Sequence, residues 1–353
     1  MERRRFLQIM SGVAAGAVAA SAGGLDAFAA ARRPGARPRP SARYKAGTGT
    51  EKIVLVQNAW TASALDVAIA KKVIEDNLGN PVEITAIDEN TMWSGLAGGD
   101  LDACLELWPS GISADEQKYL DDGSVAEAGK LGVIGQIGWF VPDYVIAEHP
   151  ELATWEGYQD PEIGKLFSSP ETGDLGRFLG TDPSYSQADE TIIKNLGLPF
   201  QVVFSGSEPA TVAALDSAVA AHEPILMYWW TPTAAAGKYN LVHVKLPPYD
   251  AANWADPEAI ATDYPEDVLV KVVSPKVADK DQAVYDFLTR FQLTNDDQLA
   301  MLPSVEIDGE DAADVAAQWV ADNEDVWQAW LEPGPAPIDT STASASVPAT
   351  TTG

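Results

Sequence analysis

Three tryptophans in this sequence each follow a short apolar run of the kind that forms a buried strand. They are Trp60, Trp108 and Trp230, the last with Trp229 directly before it. Because ligands bind beyond the carboxyl ends of the strands in open parallel sheets, we expect these side chains to face one cleft. Tryptophan rings attract a quaternary ammonium group through their faces, and each contact is worth about 0.5–2 kcal/mol. The pattern predicts an aromatic box for a methylated cation; ordinary core packing is the alternative role for these rings.

Two further aromatic positions bear on this box. Adjacent residues of a strand point to opposite faces, so only one of Trp229 and Trp230 is expected to line the cleft. Tyr144 directly follows residues 139–142, where the chain is expected to cross between two lobes. Tyr144 is therefore another candidate.

Catalytic arrangements fit the sequence poorly. Residues 205–207 lack the flanking glycines of a nucleophile elbow, and no histidine stands in an obvious partner position. Two of Asp100, Asp102 and Glu106 could form the carboxylate pair of a glycoside hydrolase, but chance places many such pairs in so acidic a chain. The single cysteine, Cys104, can form neither an intramolecular disulfide nor a thiolate zinc site. We therefore expect a protein that is not an enzyme and has no metal or cofactor.

The charge of the chain excludes several partners. The 353 residues carry 23 Lys and Arg against 52 Asp and Glu, a net charge of −29. Residues 1–47 contain nine basic and two acidic side chains, so the remaining residues have 14 basic against 50 acidic ones, a net charge of −36. Such a body repels nucleic acid, whose affinity for proteins comes from cationic side chains. Arg177 and Arg290 are the only arginines after residue 47, which leaves few guanidinium groups to bind a phosphate or a dicarboxylate.

The elements that would hold the tryptophans alternate between strands and helices, which predicts parallel βαβ units with helices on both faces. Apolar runs predict strands at 53–56, 82–87, 101–107, 200–204, 224–230, 241–246 and 268–273. Helical spacing and capping signals predict helices at 64–78, 89–97, 187–196, 208–221, 279–292, 295–301 and 312–323. Two such groups of strands and helices predict two lobes, with the chain crossing between them near residues 139–142 and 231–236.

The ends of the chain lie outside this pattern. Residues 1–30 resemble a twin-arginine export signal, because adjacent arginines precede Phe6-Leu7 and an apolar stretch with a small-x-small cleavage site at residues 27–29. The alternative is an uncut signal that holds the protein to the membrane. No cysteine is available near the cleavage site for a lipid anchor. We expect residues 31–50 to be a flexible linker and residues 332–353 a disordered tail.

The sequence resembles one known family, the glycine betaine, proline betaine and choline substrate-binding proteins of ABC importers. The resemblance spans residues 52–330, and its motifs occur in the order Asn58-Ala59-Trp60-Thr61, Gly99-Asp100-Leu101-Asp102, Glu106-Leu107-Trp108-Pro109, Val141-Pro142-x-Tyr144-Val145, Ser205-Gly206-Ser207-Glu208, Tyr228-Trp229-Trp230-Thr231-Pro232-Thr233 and Leu246-Pro247-Pro248-Tyr249. It implies a type II periplasmic-binding-protein fold, α/β in class, in which a mostly parallel sheet forms each lobe. It also implies an aromatic cage that includes Trp60, Trp108, Tyr144 and one of Trp229 and Trp230.

The sequence departs from the family at positions that matter for the ligand. Thr233 stands where many relatives have a histidine that meets a betaine carboxylate, and Ala62 stands where some choline binders have an acidic residue. These departures therefore do not decide between betaine and choline as the ligand. A carboxylate would have to rely on backbone N–H groups and hydroxyls, for which Thr233, Ser184 and Tyr185 are candidates.

The resulting prediction is a monomeric, exported receptor that binds a quaternary ammonium solute and delivers it to a membrane permease. The expected boundaries are residues 51–140 and 233–331 for the first lobe and 141–232 for the second. A secreted carbohydrate-active hydrolase and an extracytoplasmic sensor module without a transport role are the alternatives.

Overall fold

A nine-stranded mixed sheet runs through the part of the chain that the computed structural model describes, residues 49–332, all within one unit of residues 44–353. Its strands are β1 (Ile53–Gln57), β2 (Val82–Ala86), β3 (Ala103–Leu107), β4 (Ala126–Pro142), β5 (Gly176–Gly180), β6 (Phe200–Phe204), β7 (Leu226–Thr231), β8 (Leu241–His243) and β9 (Glu266–Val273). Their order across the sheet is β2-β1-β3-β9-β4-β7-β5-β6, and β8 pairs with β4.

Two groups of parallel strands are joined by antiparallel ones. The first parallel set is β2-β1-β3, and the second parallel set is β7-β5-β6. Between them, β9 pairs antiparallel with β3 and β4, while β4 also pairs antiparallel with β7 and β8. The first half of β4 therefore lies beside β9 and the second half beside β7, so this one long strand connects the two sets.

Fourteen α-helices within residues 49–332 cover the sheet. They are α1 (Thr61–Asn77), α2 (Trp93–Gly98), α3 (Ala114–Asp121), α4 (Asp143–Glu148), α5 (Pro161–Leu166), α6 (Asp189–Leu196), α7 (Glu208–Ala221), α8 (Ala234–Lys238), α9 (Ala251–Trp254), α10 (Val277–Lys280), α11 (Gln282–Arg290), α12 (Asn295–Glu306), α13 (Ala312–Asp322) and α14 (Glu324–Trp327). Within the same residues, no helix combines the length and the apolar character needed to cross a membrane.

The longest helix illustrates how the pattern of apolar residues produces the packing. In α1, Leu65, Ile69 and Val73 recur every four residues and are fully buried, which places them on one face of the helix. This helix packs against the first parallel set on one side and against α12 and α13 on the other. Helix α1 is therefore held between the sheet and these two helices. This packing fixes the position of its first turn, which borders the cleft.

Most predicted elements are confirmed, with shifted ends. The strand predicted at 200–204 has the observed bounds, whereas the helix predicted at 279–292 is divided into α10 and α11. The division occurs at Asp281, whose carboxylate accepts hydrogen bonds from the backbone N–H groups of Ala283 and Val284 and so begins a new helix. Strands β4 and β5 were not predicted. The export signal at 1–30, the linker up to residue 48 and the tail from residue 333 lie outside the described residues.

Candidate functional site

A pocket lies at the carboxyl ends of both parallel sets. The space between its walls is about 350 Å³, its open mouth included. Five aromatic side chains dominate the wall, which is completed by a carboxylate, a serine and two apolar positions: Trp60, Trp108, Tyr185, Tyr228, Trp230, Glu89, Ser186, Gly111 and Ile137. A mostly apolar, aromatic lining with a few polar groups is typical of a small-molecule binding site.

Each aromatic side chain of the pocket is placed by the end of a strand or by the segment that follows one. Trp60 lies between β1 and α1, and Trp108 directly follows β3. Tyr228 and Trp230 lie two residues apart on β7, which puts both on the same face of the strand. Tyr185 comes from the segment between β5 and α6. The two parallel sets therefore contribute opposite walls of one pocket.

The aromatic rings stand at steep angles to one another. The Tyr185 ring meets that of Trp60 at 86° with 5.6 Å between centroids, and that of Trp230 at 79° with 5.7 Å. The Tyr228 ring lies 6.2 Å from that of Trp230 at 52°. Edge-to-face contacts of this kind are favourable, and they hold the rings as separate walls instead of letting them stack into the cavity.

One buried carboxylate fixes both tryptophans of the first wall. The indole N–H of Trp60 donates to Oε1 of Glu106 at 2.8 Å, and the indole N–H of Trp108 donates to the same oxygen at 3.1 Å. Glu106 is 1% exposed, so these two donors replace the water that its oxygen would otherwise bind. Glu106 therefore orients the rings, a positioning role that requires no contact with a ligand.

A second carboxyl group lies behind Glu106. Asp66 and Glu106 are both buried and lie close enough for their charges to interact, and the side-chain N–H groups of Gln298 donate to both oxygens of Asp66. Burial raises the pKa of Glu106 to about 7, although the two indole N–H groups oppose the rise. The pKa of Asp66 lies well above its usual range because of burial and the nearby Glu106 charge. Burial thus favours the neutral form of both carboxyls, and the two indole N–H groups stabilise the charged form of Glu106.

Hydrogen bonds connect the two walls. The Tyr185 hydroxyl donates to the backbone carbonyl of Ala59 at 2.9 Å, and the Ser186 hydroxyl donates to that of Gly111 at 3.0 Å. The pocket is thus held in a closed arrangement in which segments of both parallel sets are in direct contact.

Residues 51–322 match the family described as the substrate binding domain of the ABC-type glycine betaine transport system. The match covers well over half of the chain. The chain belongs to this family. Because its relatives are ligand-binding transport proteins, it is a substrate-binding protein and not an enzyme.

Individual relatives are distant. The chain is 24% identical over 290 residues to the trimethylamine N-oxide-binding protein of Pelagibacter ubique, a match covering 80% of this chain and 91% of the relative. The structure of lactococcal OpuAC, closed and complexed with glycine betaine, superimposes with a TM-score of 0.63 at 20% identity and covers 80% of this chain and all of that one. A choline binding protein in complex with choline gives 0.65 at 17% identity, covering 79% and 91%. These similarities establish the two-lobed α/β fold of substrate-binding proteins.

Several predicted site residues of this substrate-binding protein do not line the pocket. Trp229 is fully buried, and its indole N–H donates to the hydroxyl of Thr233 at 2.8 Å. That hydroxyl also caps α8, so Thr233 is engaged inside the protein. Tyr144 stacks on His222 with 4.4 Å between ring centroids and donates to the carbonyl of Glu223. The pocket thus receives Trp230 in place of Trp229, and Tyr144 points elsewhere because it begins α4 beyond the end of β4.

The polar candidates divide in a similar way. Tyr185 lines the pocket, while Ser184 belongs to the turn beside it, where its backbone N–H donates to Asp182 at 2.8 Å. Five lining residues were not predicted: Tyr228, Glu89, Ser186, Gly111 and Ile137. The alternation along β7 could have indicated Tyr228, because it lies two residues before Trp230. Glu89 follows β2, and no tryptophan directly follows that strand to indicate a site there.

Proposed function

We propose that this substrate-binding protein binds a methylated ammonium solute, of the glycine betaine, proline betaine or choline type, inside the five-ring pocket. The observation that carries the proposal is the pair of indole N–H groups held by Glu106 beneath a wall of aromatic rings. With those donors engaged, the two tryptophans offer the pocket apolar, electron-rich surface. A methylated cation donates no hydrogen bond and is stabilised by such surface.

We further propose that lobe closure is the mechanism of capture. Residues 51–140 and 233–331 would form the first lobe and residues 141–232 the second, with β4 passing between them. A ligand that touches both walls favours the closed state through contacts that the open state lacks. The permease of the importer then recognises the closed form. Export of the mature protein, with residues 1–30 as the signal, belongs to the same proposal.

The test is titration calorimetry with glycine betaine, proline betaine, choline and trimethylamine N-oxide. The matched control ligand is 3,3-dimethylbutanol, which has the shape of choline with a carbon in place of the charged nitrogen. We expect at least one methylated ammonium compound to bind and the neutral analogue to bind far more weakly. If none of the four produces heat or a thermal shift at millimolar concentration, the proposed ligand class is wrong.

The aromatic cage is tested with two variants of one residue. Trp60→Leu keeps apolar bulk but removes the ring, whereas Trp60→Phe keeps a smaller ring. We expect Trp60→Leu to weaken binding by about 2- to 30-fold, the equivalent of about 0.5–2 kcal/mol, and Trp60→Phe to weaken it less. Trp327→Leu is the control, because Trp327 lies in α14 and its indole binds the carbonyl of Val320. Equal affinity in all three variants and the native protein would exclude Trp60 from the cage.

A further inference from the structure

Glu89 is the one acidic side chain among the described residues that line the aromatic pocket. It lies in the turn that follows β2, and it is half-buried beside Trp108 and Ser186. Its Oε1 accepts a hydrogen bond from the backbone N–H of Ser186 at 3.0 Å. Ser186 is its only hydrogen-bonding residue within residues 49–332, so the carboxylate retains capacity to accept from a ligand.

The pocket wall has few donors to offer in return. The backbone N–H of Ser186 is taken by Glu89, and the Ser186 hydroxyl donates to Gly111. The Tyr185 hydroxyl donates to Ala59, and the indole N–H groups of Trp60 and Trp108 donate to Glu106, so the Trp230 indole N–H and the Tyr228 hydroxyl are the two lining side-chain donors without an acceptor within residues 49–332. No Lys, Arg or His is among the lining residues that the structure describes. A carboxylate or an N-oxide brought into this pocket would find most donors already engaged.

Among the residues that the structure describes, no cation balances Glu89. The titratable groups whose charges interact with it come from α3, β9, β3, β7 and the segment before α6, and all are acidic or neutral: Glu116, Asp267, Cys104, Tyr228 and Tyr185. A ligand that brings a positive charge therefore supplies the missing counter-charge, and a ligand with a negative end adds another unfavourable charge.

We propose that Glu89 is a specificity-determining residue that makes the pocket prefer a net-cationic methylated ammonium alcohol, such as choline, to a zwitterion such as glycine betaine. The trimethylammonium group occupies the aromatic rings, and the hydroxyl donates to Glu89. The inference rests on the proposed function, because it assigns the ligand of the same pocket.

The preference depends on pH in a defined direction. Burial raises the pKa of Glu89 to about 7, against the lowering effect of the hydrogen bond from the Ser186 backbone N–H. Above that pH the group is a carboxylate, which attracts choline and repels the carboxylate of betaine. Below it the group is a neutral acid, which can donate to a betaine oxygen. The ratio of choline affinity to betaine affinity therefore increases as pH rises from 6 to 8.

The experiment is calorimetric titration of the full chain with choline and with glycine betaine at pH 6 and pH 8. It compares the native protein with Glu89→Gln and with the control Asp88→Asn. Asp88 is exposed in the same turn, so its substitution removes an equal charge from the neighbourhood without altering the pocket wall. Taking the ratio of the two affinities removes any effect of pH on lobe closure that both ligands share.

We expect native protein at pH 8 to bind choline more tightly than betaine. Glu89→Gln should lower the ratio about 10- to 100-fold and reduce its pH dependence, while Asp88→Asn keeps both the ratio and its pH dependence. A ratio unchanged in Glu89→Gln, or a native preference for betaine at pH 8, overturns the assignment of Glu89. Either result would leave the aromatic cage intact, whereas absence of binding by both ligands would instead refute the proposed function.

Discussion

The carboxylate of Glu208, which follows strand β6 of the second parallel set, caps helix α1 of the first set. We expect that removing this carboxylate destabilises the closed state. Helix α1 has Trp60 at its N-cap and no side chain of its own that caps it. The carboxylate of Glu208, at the start of α7, supplies the missing acceptor. Its Oε2 accepts from the backbone N–H of Thr61 at 2.8 Å and from the Thr61 hydroxyl at 3.1 Å. We therefore consider the substitution Glu208→Ala.

The magnitude follows from two opposing effects. Hydrogen bonds to a charged group stabilise by about 1.5–3 kcal/mol, and a negative charge at a helix N-terminus adds to this. Against it stands the cost of burying Glu208, which is 3% exposed and whose pKa burial raises to about 7. We expect a net loss of about 1–2 kcal/mol from the closed state, which corresponds to about 5- to 30-fold weaker ligand binding.

The raised pKa also fixes the sign of a pH effect. In an open state Glu208 would be hydrated and titrate near its ordinary pKa of 4.5, so the closed state binds a proton more tightly. This contribution to closure is therefore complete below pH 4.5, is lost progressively as pH rises from 4.5 to 7, and changes no further above pH 7. Glu208→Gln remains neutral at all pH values and should lose this part of the dependence.

Affinity for every ligand that binds, measured by calorimetry at constant pH, is the assay. Because Glu208 acts on closure, its loss should weaken all ligands by the same factor. Glu190→Ala is the control, since Glu190 is an exposed acid in the first turn of α6. An affinity within twofold of native would refute the capping role. A loss confined to one ligand would mean that Glu208 meets the ligand directly.

Two further predictions concern buried charges. Replacing Glu106 by Leu leaves two buried indole N–H groups without acceptors, which costs about 1–3 kcal/mol each, so the melting temperature and the ligand affinity should both decrease. Glu106→Gln keeps an acceptor and should retain most of the melting temperature and of the affinity. Equal effects of the two substitutions would contradict the positioning role. Lys271 is fully buried, donates to the carbonyls of Thr289 and Phe291, and has a pKa that burial lowers to about 7. Because the unfolded state holds this proton up to a higher pH, Lys271 should make the folded protein more stable as pH rises from 7 to 10, and denaturant titrations should show a smaller rise in Lys271→Met.

The sequence predicted the strands that end at the tryptophans but missed the strand that joins the two sets. In β4, glycine recurs at positions 129, 132, 135 and 138, which hides the alternation of a strand. The structure gives a reason for some of these glycines. A Cβ on Gly135 would overlap the Trp108 ring, and a Cβ on Gly138 would overlap the His243 ring. Glycine is required at these two positions by contacts with residues distant in sequence, and such contacts cannot be inferred from the local sequence pattern.

The candidate site shows the same division between local and distant information. Trp60, Trp108 and Trp230 could be placed together because strand ends in a parallel sheet share an edge. Thr233 and Tyr144 could not be excluded, since their partners, Trp229 and His222, became neighbours only through the turn after β7 and the packing of α4. Sequence patterns indicate Glu106 only as a member of a carboxylate pair, because its bonds to two indoles depend on the register of β1 and β3.

Part of the acidity of the chain is buried beside the pocket. A row of buried carboxyl groups extends behind the aromatic wall, and each influences the next: Asp66, Glu106, Glu208 and Glu306. Within residues 49–332, none of the four forms a salt bridge with a lysine or arginine. Glu208 and Glu306 instead receive backbone N–H groups at the starts of α1 and α8. The field of this row reaches the pocket across rings of low polarity, where screening by water is weak. Where these groups are ionised, they would stabilise a cation in the pocket in addition to the rings and disfavour an anion. Because burial raises the pKa of all four, this contribution decreases as pH falls.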